Sequence, residues 1–142
     1  MRRKKKINEL TIKDNFMFGA VMCNEKHCRD FLEMVFGFPI ARVEVSKEKS
    51  LIYHPEYKGV RLDVYAQDEN NTRYNIEMQA IDRSTIPKRT RYYHSQIDMD
   101  ILKQGVDYTE LPKAYVIFVC DLREQRAERT YLYVHSATAA IT

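Results

Sequence analysis

The sequence has no tryptophan, and only four glycines, four prolines and three cysteines in 142 residues. So little Gly and Pro excludes long low-complexity or disordered stretches, and no internal repeat is present. Cys23, Cys28 and Cys120 are odd in number and form no C-x-x-C pair, while His27, His54, His94 and His135 are scattered. Neither a disulfide framework nor zinc-ligand spacing is therefore present, and free thiols point to a reducing cytoplasm. No apolar run approaches the roughly 20 residues that span a bilayer, and the basic start lacks the apolar core of a signal peptide. A Gly-rich phosphate loop, G-x-S-x-G and H-E-x-x-H are all missing.

What is present is a chain with 44% hydrophobic and 30% charged residues, enough for one domain with a real core. The formal charge is +3, yet Arg2, Arg3, Lys4, Lys5 and Lys6 supply five of the 23 basic residues. Without them 18 basic residues face 20 acidic ones, so attraction to a polyanion has to come from local patches. We divide the chain into a basic tail (1–10), one domain (11–136) and a short C-terminal tail (137–142).

Residues 11–37 read as helix. Thr11 and Asp14 have capping-box spacing, Phe16, Met17, Ala20 and Val21 follow at helical intervals, and Asn24 is placed to restart the run. Gly37 with Pro39 makes the stop. Strand patterns follow over 42–52, 60–67 and 72–81. In the second, Leu62, Val64 and Ala66 alternate with Asp63, Tyr65 and Gln67; in the third, Tyr74, Ile76 and Met78 alternate with Asn75, Glu77 and Gln79. Asp68-Glu69-Asn70-Asn71 between them is hairpin turn chemistry. Pro87 starts a second helix that Gly105 ends. The apolar run 114–120 suits a strand buried on both faces, and 131–134 adds an edge strand. The order is α-β-β-β-α-β, an α/β fold with a sheet flanked by helices.

Asp63 and Glu77 lie seven residues either side of Asn70, so a three-residue loop sets them opposite each other. Opposed residues on one face have Cβ atoms about 4.5–5.5 Å apart. Gln79 projects from the same face, opposite Leu62, Val64, Ile76 and Met78. Two ionised carboxylates that close are relieved by a shared proton, a basic partner or a cation. Mg²⁺ suits such a pair, since it takes one or two carboxylates, waters and phosphate oxygens. The bland alternative is a solvated acidic sheet face relieved by nearby Lys or Arg. Asp14 is a further acidic candidate.

Lys88, Arg89 and Arg91 stand near the start of the second helix, interleaved with Tyr92 and Tyr93. Basic groups at a helix start suit phosphate positioning; equally, they suit a solvated helix end whose tyrosines pack in the core. Arg89, Tyr93, Gln96 and Asp100 make a polar stripe down one side of that helix. Cys120, inside the apolar run, reads as a core residue.

With these residues in hand, the chain resembles the PD-(D/E)XK nuclease superfamily, in the recombination-promoting nuclease and transposase branch. The resemblance rests on the element order, Asp63 in Gly59-Val60-Arg61-Leu62-Asp63-Val64-Tyr65, and Glu77-Met78-Gln79. Asp14-Asn15-Phe16-Met17-Phe18, Arg91-Tyr92-Tyr93-His94-Ser95-Gln96 and Tyr115-Val116-Ile117-Phe118-Val119-Cys120-Asp121 look alike too. It spans roughly residues 10–121. It implies a restriction-endonuclease-like αβββαβ core, with a mixed sheet and a helix on each side. Asp63 and Glu77 would be the metal ligands, helped by the carbonyl of Met78, with Mg²⁺ or Mn²⁺ as cofactor. Gln79 would stand where most of the superfamily has Lys; a neutral amide can orient water or a phosphate oxygen but supplies no positive charge.

Leu62 replaces the proline that names the motif, and the family pattern ends after Asp121, as in a shortened copy that keeps the catalytic core. The expected function is metal-dependent DNA cleavage by Asp63, Glu77 and Gln79, linked to recombination or mobile elements. DNA would be the partner, held by Lys88, Arg89, Arg91, Tyr93 and Gln96, with no membrane and with a homodimer allowed. The competing readings are a nuclease-like fold that binds nucleic acid without cutting it, and an inactive remnant of a longer protein.

Overall fold

The computed structural model describes residues 15–52, 55–79, 84–124 and 127–137. Within the predicted first helix the chain forms two, α1 (Asn15–Met22) and α2 (Glu25–Phe36). Asn24 divides them as expected: its side-chain oxygen accepts from the backbone N–H of His27 at 3.2 Å, capping α2. Gly37 ends α2 at φ 73°, and its N–H reaches the carbonyl of Glu33. Phe18 and Met22 of α1 are buried, whereas Ala20 from the predicted periodic set is exposed. Thr11 and Asp14 lie outside the described residues.

Among the described residues, five strands form one sheet in chain order: β1 (Val43–Leu51), β2 (Val60–Asp68), β3 (Arg73–Gln79), β4 (Ala114–Glu124) and β5 (Ala127–Ala137). All neighbours are antiparallel except β3 and β4. A parallel pair needs a crossover connection, and α3 (Ile86–Ile101) supplies it, with Pro87 in its first turn. The helix ends sooner than predicted. Leu102 leaves helical geometry, and Gly105, at φ 83°, serves the turn beyond instead of the helix itself.

Helices cover both faces, so the α/β, mixed-sheet arrangement is as expected. Phe18, Met22, Cys28 and Leu32 from α1 and α2 pack on Val43, Val64, Ala66, Tyr74, Ile76 and Met78. On the other face, Ile86 and Ile97 of α3 pack on Leu51, Leu62, Tyr65, Val116, Phe118 and Cys120. The run 114–120 is buried on both faces, as a central strand requires, except that Tyr115 is partly exposed. Cys120 is a core residue.

Two expectations change. Leu62 does not share a face with Val64 and Ala66: it packs with Tyr65 under α3. Strand β1 turns with it, since Val43 and Val45 lie under α1 and α2 while Leu51 joins the α3 side. A two-stranded ribbon free of its other neighbour twists more strongly than a full sheet, and β2 is in that state here. The second change is β5, which was expected over 131–134 and runs over eleven residues paired along all of β4. The charged residues after Asp121 enter the end of β4 and the start of β5, whose backbones pair with each other.

Candidate active site

The β2–β3 turn fixes the register of the site. The carboxylate of Asp68 accepts from the N–H groups of Asn70 and Thr72, each at 2.9 Å, and from the Tyr74 hydroxyl at 2.7 Å. Asn71 takes the left-handed conformation at φ 65°, which Asn tolerates better than most residues. Pairing then runs from Gln67–Arg73 to Val64–Ile76, where it stops. From that point β2 stays with β1, through Lys49–Leu62, and β3 stays with β4, through Glu77–Phe118.

The sheet thus forks at Asp63 and Glu77, and side chains take over from the ladder. The N–H of Asp63 donates to Oε1 of Glu77 at 3.2 Å, and the N–H of Met78 points to Oδ2 of Asp63 at 3.4 Å. Asp63 is half-buried and Glu77 only 4% exposed. Burial pushes the Glu77 carboxyl up to about 8, with the neighbouring Asp63 carboxylate the second cause of the rise. Asn75, fully buried two residues before, approaches the Glu77 carboxylate without reaching hydrogen-bond geometry, and works weakly against that shift.

Helix α3 roofs the fork and is bonded to its β1–β2 side. Asp100 pairs with Lys49 at 2.9 Å, and the Tyr92 hydroxyl donates to the carbonyl of Lys58 at 2.6 Å. At the other end of the helix, Nη2 of Arg89 donates to the Tyr93 hydroxyl at 3.0 Å. Its guanidinium lies over Phe118, 5.1 Å from the ring centre, and Tyr93 stacks on the same ring. Burial raises the Tyr93 hydroxyl, the Arg89 hydrogen bond opposes this, and the charges of Glu77 and Asp63 add to it.

The structure brings some predicted site residues together and parts others. Asp63 and Glu77 meet, with Tyr93 close enough to feel both. Lys88 and Arg91, read as one cluster with Arg89, are exposed, whereas Arg89 is half-buried against Phe118. Gln96 is buried beneath α3. The backbone of Gln79 pairs with Cys120; its side chain, like Asp14, lies outside the described part of the chain. Phe118 escaped the sequence reading, because nothing in an apolar run reveals the parallel register that sets it beside Glu77. Asn75 was legible as a residue on the same strand face as Glu77.

A hard divalent cation fits this pair. Both groups are carboxylates, and Glu77, raised first by burial and then by the charge of Asp63, stands where added positive charge would favour its ionised form. Among the described residues no third His, Cys, Asp or Glu joins them, which Mg²⁺ tolerates because it keeps waters.

The fold is that of a restriction-endonuclease-like core. The chain matches the family described as PD-(D/E)XK nuclease family transposase over residues 15–138, and it belongs to that family. The match continues past Asp121 through β5, so this segment is part of the family pattern, where the sequence reading ended it. No curated protein and no solved structure gives a match. Among the described residues no helix is long and apolar enough to cross a membrane.

Proposed function

We propose that this protein is a metal-dependent DNA endonuclease that hydrolyses phosphodiester bonds during recombination or movement of a mobile element. The observation that carries the proposal is the fork, where Asp63 and Glu77 replace the ladder with a carboxylate pair whose buried member resists ionisation. Asp63 and Glu77, with the carbonyl of Met78, would hold Mg²⁺ or Mn²⁺. When bound, that ion supplies Lewis-acid charge at the phosphate and makes water a better nucleophile at neutral pH.

The chain's own residues do the rest. Glu77 gives up its proton on loading, and Asp63 holds the β2 side of the fork against β3. Gln79 orients the attacking water or a phosphate oxygen through its amide. Lys88 and Arg91, exposed at the start of α3, attract the DNA backbone. A cytoplasmic setting suits both the substrate and the three free thiols. One carboxylate pair cuts one strand at a time, so double-strand cleavage would call for a homodimer on DNA.

The test is plasmid cleavage. Wild-type protein should nick or linearise supercoiled DNA with Mg²⁺ or Mn²⁺ and stop with chelator. Asp63→Asn and Glu77→Gln should each lose nearly all activity while keeping the far-UV spectrum of the wild type. Normal cleavage by either variant contradicts the assignment, and DNA binding without cleavage under every metal makes the protein a binding module.

A further inference from the structure

We infer that Arg89 is the fixed cation of this site: seated on Phe118 and tied to Tyr93, its guanidinium takes a non-bridging oxygen of the phosphate being cut. The inference rests on the nuclease reading and adds to it the source of positive charge. A carboxylate pair repels a phosphodiester, and the residue two beyond Glu77 is a neutral amide where a Lys would help. A cation on the protein itself would add to the charge that the bound ion supplies.

Among the described residues, Arg89 is a cation held at the fork by packing. Glu77 and Phe118 are neighbours across β3 and β4, so a guanidinium over the Phe118 ring stands one strand from the carboxylate pair. Tyr93 accepts from Arg89 and stacks on the Phe118 ring as well. Stacking on an aromatic ring orients a guanidinium while leaving its charge intact, and its planar fork of donors matches two phosphate oxygens. Its neighbours on the helix are placed differently: Lys88 and Arg91 stand exposed.

The experiment compares wild type, Arg89→Ala, Arg89→Lys, Gln79→Lys and the double variant Arg89→Ala/Gln79→Lys. Each is assayed by single-turnover cleavage at saturating enzyme with Mg²⁺, and by duplex binding without metal at several salt concentrations. Loss of one preorganised group on developing charge costs about 10²–10³-fold in rate, so Arg89→Ala should fall by that much even at saturation. Arg89→Lys should keep more activity than Arg89→Ala, and the double variant should regain at least about tenfold over Arg89→Ala. The salt slope of Arg89→Ala should flatten by about 0.9, one phosphate contact, which a merely structural role would not produce. Arg89→Ala cleaving at the wild-type rate overturns the inference. So does a loss that excess enzyme restores, or an unchanged salt slope in a folded variant. If Asp63→Asn is dead and Arg89→Ala is normal, the inference alone fails; a wild type inactive with every metal overturns the nuclease reading and this inference with it.

Discussion

The backbone N–H of Asp63 donates to the carboxylate of Glu77, 3.2 Å away, at the first position beyond the last β2–β3 ladder pair, Val64–Ile76. A side chain thus takes the place of a strand partner, and the two carboxyls are brought together by the opening of the sheet. A buried acid beside another carboxylate is strained toward its protonated form, and several consequences can be measured.

Glu77 gives the metal-free protein a specific pH dependence. Its carboxyl is raised from an ordinary 4.5 to about 8, so between those values the folded state binds more protons than the unfolded chain. Stability therefore falls as pH rises through that window, and is unaffected by this group below it. Melting temperature followed from pH 4.5 to 8.5 without metal should show this decline, and Glu77→Gln should remove it. A wild type that grows more stable over that range through this group contradicts the geometry.

Metal binding should expel the proton that Glu77 holds. Calorimetric titration with Mn²⁺ near pH 6.5, in buffers of differing protonation enthalpy, should register about one proton released per ion. Affinity should rise about tenfold per pH unit below the raised value. Release of no proton would mean that Glu77 is already ionised or is no ligand.

Asp68 should control the site from the far end of the hairpin. It is buried and accepts from Asn70, Thr72 and Tyr74. Asp68→Ala leaves three donors short and should cost about 2–4 kcal/mol in urea unfolding. Because the turn sets the register that opposes Asp63 to Glu77, Mn²⁺ affinity should fall with it. A variant with wild-type stability and affinity would show that the strands keep register without this turn.

Lys88 and Arg91 should act on DNA affinity more than on the chemical step. Replacing both with Ala should flatten the salt dependence of duplex binding by about 0.9 for each phosphate no longer neutralised. It should also weaken all sequences alike and leave cleavage recoverable at higher enzyme concentration. An unchanged slope would make them a solvated helix start, with the DNA path elsewhere.

Much of this was legible in the sequence, for local reasons. Asn24, Gly37, Pro87 and the Asp68–Asn71 turn carry their structural meaning in their own chemistry, and the turn alone gives the Asp63–Glu77 register. What was not legible depends on neighbours. Leu62 changes face because β1 and β2 twist together once β3 departs. The charged stretch after Asp121 becomes strand because the end of β4 and the start of β5 pair with each other. Arg89 parts from Lys88 and Arg91 because Phe118 arrives beneath it through a parallel register. No pattern within a single element encodes these three outcomes.

The most direct measurement is a crystal of the protein soaked in Mn²⁺ with data collected for anomalous scattering. One anomalous peak should lie in the fork, touching the carboxylates of both Asp63 and Glu77, and should be lost in Glu77→Gln crystals. A peak elsewhere at millimolar Mn²⁺, or none in a fork that keeps the Asp63 N–H bonded to Glu77, would mean that the pair holds no metal.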